Sequence, residues 1–374
     1  MKMMFEKTTL AVCAAAMTVA CGGAEAPEIG ESTSEIIPLA TVGRVVFERR
    51  EFQGNGRVCR TCHLQGTGTV SPDDVEAAFQ SDPNGDLFRA IDSDDGLGLT
   101  YDRLRNDATF RIFIPLPSNV TLLGDPSATT ALLHRGASAT LNNPGLESVF
   151  MQDGRNATLQ EQAAGAVNAH YEPGRQPTQR ELDGVDAFQR KRRQFYSSGK
   201  LFRWGLGIGA APSLPAGNTP SEIRGRAFFE DTPAGLCGHC HGGPNLNETT
   251  ANLLLPFPPG TRFISVAVSE RNLANNAVQD FAFADPSDPA APPVVVSSPD
   301  PGRALISGDP ADANAFRIPS LWGVNETAPY FHDNSAKDLE EVMEHYAFYF
   351  ALPPANLVLT EQEIADIIAY MKLL

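Results

Sequence analysis

The chain has 374 residues, of which 42% are hydrophobic and 20% charged. That is enough for two domains or one large one with a sizeable core, and it excludes wholesale disorder. Acidic residues outnumber basic ones 45 to 29, a formal charge of −16, which argues against nucleic acid as a partner because phosphate binding needs an excess of Lys and Arg. The 32 Gly and 29 Pro predict a loop-rich fold.

Lys2 and Lys7 open a short basic start, and an apolar stretch runs from Leu10 to Ala20. It is too short to span a bilayer and has the shape of a secretory h-region. It ends Thr18-Val19-Ala20-Cys21, resembling the site at which bacterial prolipoproteins are cleaved and acylated. Residues 1–20 are therefore read as a signal peptide, Cys21 as a lipid-anchor site and 21–40 as a flexible tether. The plainer alternative is a soluble exported protein cut near Ala20. Either way the chain is expected in the periplasm or anchored to the envelope facing it. No other apolar run is long enough to cross a membrane.

Of the six cysteines, Cys13 lies in the signal, and four beyond Cys21 form two pairs each followed by His. These are Cys59-Arg-Thr-Cys62-His63 and Cys237-Gly-His-Cys240-His241. Sulfurs at this spacing reach the two vinyl groups on one porphyrin edge, and the adjoining His sits beneath the iron as axial ligand. Zinc-holding pairs usually stand closer together in sequence, a thioredoxin-like motif needs a βαβ context that is missing, and disulfides need no added His. Two covalently bound c-type haems are predicted, ligated by His63 and His241.

Each motif has a similar approach, Gly43-Arg44-Val45-Val46-Phe47 and Gly225-Arg226-Ala227-Phe228-Phe229, both read as short helices. Each is followed by a capping box that opens a closing helix. Thr178-Gln179-Arg180-Glu181 precedes Leu182, Val185 and Phe188, and Thr360-Glu361-Gln362-Glu363 precedes Ile364, Ile367, Ile368 and Met371. The predicted fold is mainly α, two cytochrome c-like domains in tandem over 41–205 and 221–374, joined by a Gly/Pro-rich linker over 206–220. Asp285 to Arg303 reads as a surface loop, and no sustained strand alternation is expected.

Residues 41–374 resemble the bacterial di-haem cytochrome c peroxidase family, including its MauG-like branch. Three segments carry the resemblance: Phe150-Met151-Gln152-Asp153-Gly154-Arg155 on to Gln162, with Glu172 beyond it; Phe316-Arg317-Ile318-Pro319-Ser320-Leu321; and Thr327-Ala328-Pro329-Tyr330-Phe331-His332-Asp333. It implies hydrogen peroxide reduced at the N-terminal haem, on His63, with electrons entering from a small cytochrome c or cupredoxin through the C-terminal haem, on His241. It implies that Gln162 and Glu172 face the first iron, Glu172 moving the proton that heterolysis of the O–O bond requires. On its own Glu172 reads as a solvated loop acid.

Leu339, Val342, Met343 and Tyr346 share one face of a helix expected to open at Ser335. Tyr346 falls where MauG-like members place a tyrosine ligand to the second iron and peroxidases a methionine. Met343 is the competing ligand, and a core tyrosine the bland alternative. His134 lies where resting peroxidases supply a removable His to the first iron; His170 and His345 are further candidates for that role, and His239 flanks the second haem. The family's inter-haem Trp falls on Gln152, leaving Trp204, Trp322 or a tyrosine to relay electrons. A calcium ion between the haems would use the Thr327 and Pro329 carbonyls, although Gly136 stands where the family has an Asn ligand. A MauG-like enzyme that oxidises a partner protein and a non-catalytic electron carrier are the alternative functions. An acidic surface favours a donor with a basic or apolar docking patch.

Overall fold

The computed structural model describes residues 38–232, 235–251, 257–271 and 276–374. The signal peptide, Cys21 and the tether up to residue 37 lie outside the described residues. The first half holds α1 (Leu39–Arg49), α2 (Cys59–Cys62), α3 (Pro72–Ser81), α4 (Asp102–Asp107), β1 (Thr109–Pro115), β2 (Val120–Leu122), β3 (Thr130–Gly136), α5 (Asn143–Leu146), α6 (Leu159–His170), α7 (Gln179–Lys191) and α8 (Gly199–Gly205). The second holds α9 (Pro220–Arg226), β4 (Phe263–Ile264), β5 (Gln279–Phe283), β6 (Val294–Ser298), α10 (Ala304–Ser307), β7 (Phe316–Arg317), α11 (Leu339–Ala351) and α12 (Glu361–Met371). Among the described residues no helix is long and apolar enough to cross a membrane.

Two helix crossings frame the molecule. α1 packs on α7, and α9 on α12. A Cβ on Gly43 would run into the Gly184 carbonyl, and one on Gly225 into that of Asp366. The glycine that opens each approach segment thus lets two backbones touch, which any larger residue prevents. Both closing helices start at the predicted boxes. Thr178 Oγ1 accepts from the Glu181 N–H at 3.3 Å and Thr360 Oγ1 from the Glu363 N–H at 3.2 Å, while each glutamate accepts in return from its threonine N–H. The approach helix of the second half stops at Arg226, so Phe228 and Phe229 lie in the turn beyond it. α11 begins after Asp338, whose carboxylate accepts from the Glu341 N–H at 2.8 Å, and not at Ser335. A carboxylate caps a helix start as well as a serine does.

One apolar cluster runs through both crossings. It takes Val46, Phe47, Val185 and Phe188 from the first, and Phe229, Ile367, Ile368 and Tyr370 from the second. The 206–220 joint therefore links halves that share a core.

The strands depart from the expectation. β1 and β3 pair antiparallel from Thr109 opposite Gly136 to Pro115 opposite Thr130. Phe110, Ile112 and Ile114 face inward while Arg111 and Phe113 turn outward, a period-2 pattern blurred because Phe113 is apolar on the outer face. A second sheet, in the order β2-β5-β6, joins the two halves. Its strand Val294–Ser298 lies within the stretch expected as loop. Helices remain the frame, with three small sheets between them.

Candidate functional site

Both CxxCH segments fold into the same turn. The His63 N–H donates to the Cys59 carbonyl at 3.0 Å and the His241 N–H to that of Cys237 at 2.9 Å. His63 Nδ1 lies 2.8 Å from the Gly68 carbonyl, and His241 Nδ1 lies 3.1 Å from that of Leu246, the same reach along the chain in both. An imidazole that donates through Nδ1 keeps Nε2 for a metal. Burial lowers the pKa of both rings, favouring the neutral form that ligates. The four cysteines are free. Burial pushes Cys62, Cys237 and Cys240 up to about 12 and raises Cys59, which accepts a hydrogen bond from the Tyr171 hydroxyl at 3.3 Å. Among the described residues no three His, Cys, Asp or Glu side chains gather round a metal position. The donor set fits haem c in both turns.

The first turn opens on a cavity of about 340 Å³, within the size range of small-molecule sites. Cys59, Cys62 and His63 form part of its wall, and Ile112 and Ile114 of β1 add an apolar side. Gln162, Ala166 and His170 line it at helical spacing along α6. Gln162, expected to face the first iron, lines this cavity. Glu172 does not: it is exposed, past the end of α6, with a backbone φ of 48°. There it accepts from Asn55 Nδ2 at 3.0 Å, because the helix ends at His170 and the chain turns outward. Nor does His134 belong to the cavity lining. On β3 it alternates with buried Arg135, and its backbone N–H and carbonyl both bond the Asn276 side chain. A residue of the opposite parity reaches the cavity instead, namely Arg135. Sequence reasoning placed His170 after His134 as a candidate imidazole for this site; its spacing from Gln162 is a further signal in the sequence.

The second turn lies against an apolar cluster. Tyr346 and Tyr349 join Cys240 against Ile264, Val266, Val268, Phe316 and Ile318. Burial, with the Cys240 and Cys237 thiols nearby, raises the Tyr346 hydroxyl pKa. Met343 is 2% exposed in the shared core. His345 is tied through Nε2 to the Val266 carbonyl at 2.8 Å, and neither ring nitrogen of buried His239 has a partner. Both tryptophans secure the chain just after His241: Trp204 Nε1 donates to Asn245 Oδ1 at 2.8 Å, and Trp322 Nε1 to the Pro244 carbonyl at 2.9 Å.

A second repeat, which sequence reasoning missed, relates the two sites. A bridge between Phe150 and Asn156 is matched by one between Tyr330 and Ala336. Met151 and Gly154 have positive φ, as have Phe331 and Asn334. Thr158 then caps α6 as Asp338 caps α11. In this register Ala166, on the cavity wall, corresponds to Tyr346, and Ala163 to Met343.

Between the sites lies a buried charge network. Arg135 donates to both carboxylate oxygens of Asp300 at 2.7 and 2.8 Å and to Asp153 at 2.5 Å, while Arg155 adds a bond to Asp153 at 2.7 Å. Burial would raise both carboxyls, but the Arg135 guanidinium outweighs it and holds them below the usual range. His332 Nε2 stands 3.5 Å from Asp300. The Asn334 side chain fills the space that a side chain at position 136 would take.

No family model matches the sequence. The chain is 21% identical to the cytochrome c551 peroxidase of Nitrosomonas europaea over 280 residues, 68% of this chain and 72% of that protein. It is 28% identical to a cytochrome-c peroxidase of Denitromonas iodatirespirans over 183 residues, 46% of this chain and 43% of that one. Among solved structures it is similar to a MauG-like protein associated with microbial copper homeostasis, at 22% identity and a TM-score of 0.48, covering 93% of this chain and 90% of that one. The chain is similar to bacterial cytochrome c peroxidases. It is a haem-dependent oxidoreductase.

Proposed function

We propose that this chain is an exported di-haem peroxidase that reduces hydrogen peroxide at the haem on Cys59, Cys62 and His63, using electrons that enter through the haem on Cys237, Cys240 and His241. The observation that carries it is the setting of the first turn, whose cavity of about 340 Å³ is bordered by Gln162, while the second turn lies against Tyr346 and Tyr349. When bound, haem supplies the redox chemistry. The chain's part is to hold each iron through a neutral imidazole, to bind peroxide beside the Gln162 amide, and to keep most water out with the β1 wall.

Export and acylation at Cys21 rest on the sequence of the first residues, and the donor, a small cytochrome c or cupredoxin, on the resemblance. A calcium ion enters the proposal only through oxygen donors, the Thr327 and Pro329 carbonyls and the Asn334 amide lying against Gly136. Steady-state assays on protein matured in a host that attaches haem c should show donor oxidation that tracks the peroxide added; an iron pair inert to peroxide in every redox state would overturn the reading.

Tyr346 favours a second reading, a MauG-like enzyme that oxidises a partner protein. It occupies the place of Ala166 in the other half and packs with Cys240. A phenolate ligand lowers an iron's potential, whereas a thioether raises it. Tyr346→Phe should shift the absorption and EPR spectra of the second haem, and unchanged spectra remove Tyr346 as ligand.

A further inference from the structure

We propose that His170, rather than Glu172, is the proton-carrying residue of the first haem site, taking a proton from one oxygen of bound peroxide and returning it to the other. The proposal rests on the peroxidase reading and deepens it. Four observations converge on this side chain. It lines the same cavity as Cys59, Cys62 and His63, one helical turn beyond Ala166 and two beyond Gln162. Its Nδ1 is buried and has no hydrogen-bond partner, whereas buried polar atoms are nearly always paired. What ties the residue down is its backbone: the carbonyl accepts from Asn55 Nδ2 at 3.0 Å and from Arg57 Nη1 at 3.4 Å. Phe110 meets the ring edge-on with centroids 6.1 Å apart. The ring is therefore held in place with Nδ1 uncommitted, while Glu172 is exposed and already bonded to Asn55.

The surroundings suit a base. Burial lowers the His170 pKa to about 4, with Asp92 opposing the change and Arg57, Arg155 and His63 adding to it. The imidazole is thus neutral near pH 7, the form that accepts a proton. With haem c bound, the His170 imidazole would take the proton from the oxygen nearer the iron and deliver it to the far oxygen, which would leave as water with the electron pair of the broken O–O bond; the haem would supply the two electrons that the remaining oxygen needs. Arg155, in the same cavity and anchored on Asp153, supplies positive charge where negative charge develops.

The test is cyanide binding to the oxidised full-length protein, because hydrogen cyanide must shed its proton to bind iron and a neighbouring base speeds that loss. His170→Ala should slow cyanide association and the pre-steady-state peroxide reaction alike by about 10²-fold or more, with the ferric spectrum of the first haem unchanged and added imidazole restoring part of both rates. His170→Gln, which keeps the volume, should show the same loss and guards against a folding artefact. Three results would overturn the proposal: rates within a few fold of wild type, a Glu172→Gln loss that exceeds the His170→Ala loss, or a change of ferric spin state that makes His170 an iron ligand. A wild-type protein that binds cyanide quickly but ignores peroxide would defeat the peroxidase reading and leave the His170 base in place.

Discussion

The two haem-binding turns share a backbone and differ in what surrounds them. Each closes through the histidine N–H onto the first cysteine carbonyl, and each sends histidine Nδ1 to a carbonyl further along the chain. Each is delivered by a helix that crosses the closing helix at a glycine. Yet α6 presents Gln162, Ala166 and His170 to a cavity, while α11 presents Tyr346 to a packed cluster. In the proposed reading, holding an iron and exposing it are separable: the turn would do the first, and the residue facing it from the α6 or α11 position would decide the second.

The strongest break in this comparison comes from the sulfurs. Cys59→Ala with Cys62→Ala should remove one covalent haem by intact-mass analysis and abolish peroxide turnover, because the open site is lost. Cys237→Ala with Cys240→Ala should also remove one haem, but the oxidised first haem should still bind cyanide. If the two double variants have interchanged effects, the assignment of the halves is reversed.

Next in size is the buried network between the halves. Arg135→Met leaves Asp300 without its guanidinium in a fully buried site, and breaking such a pair costs about 3–5 kcal/mol. Asp153 keeps Arg155, so Asp300→Asn added to Arg135→Met should recover part of the loss. Both carboxyls are held below the ordinary range, so their contribution is present above the unfolded carboxylate pKa, about 4, and disappears as pH falls through the folded values. Urea midpoints at pH 7 and pH 3 should thus show wild type losing its advantage over Arg135→Met on acidification; an advantage that does not shrink would mean that the network is not what the substitution removed.

The glycine crossings come third. Gly43→Ala and Gly225→Ala each force a Cβ onto a carbonyl of the partner helix, and overpacking of this kind costs about 1–3 kcal/mol. Two similar losses in thermal unfolding sharpen the equivalence of the halves; a loss in one half only breaks it.

What could be read without coordinates was what short-range chemistry dictates. The CxxCH spacing, the capping boxes at Thr178 and Thr360 and the repeated glycine are local, and each reappears as a contact. The placement of Glu172 was not local: it depends on where α6 stops, and ending at His170 puts that carboxylate outside. His134 failed for a similar reason, since strand parity, visible only once β3 is known to be a strand, gives the inward position to Arg135. The repeat between Phe150–Asn156 and Tyr330–Ala336 was hidden because backbone conformation is shared while side-chain chemistry is not. Gly154 and Asn334 are interchangeable only as residues that tolerate positive φ.

The smallest test sets side by side one pair in each half, a partly exposed arginine on a carboxylate that the fold largely covers. In the first, Glu181 on α7 accepts from Arg175 at 2.7 and 2.9 Å; in the second, Asp366 on α12 accepts from Arg224 at 2.6 and 2.8 Å. The hydrogen bonds from these arginines are the main reason that each carboxyl falls to about 2. Their energetic value is nonetheless limited, because Arg175 and Arg224 are 32% and 52% exposed and solvent screens the charge, so Arg175→Ala and Arg224→Ala should each cost less than about 1 kcal/mol. The sign follows from the depressed values: stabilisation is complete above the unfolded pKa near 4 and lost as pH falls towards about 2. Unfolding curves at pH 7 should therefore separate each variant slightly from wild type, and curves at pH 2 should bring them together. A gap that persists at pH 2 would show that the arginine stems act by packing rather than by charge, and a gap in only one variant would show that the two halves, alike in backbone, differ in how firmly their closing helices are tied.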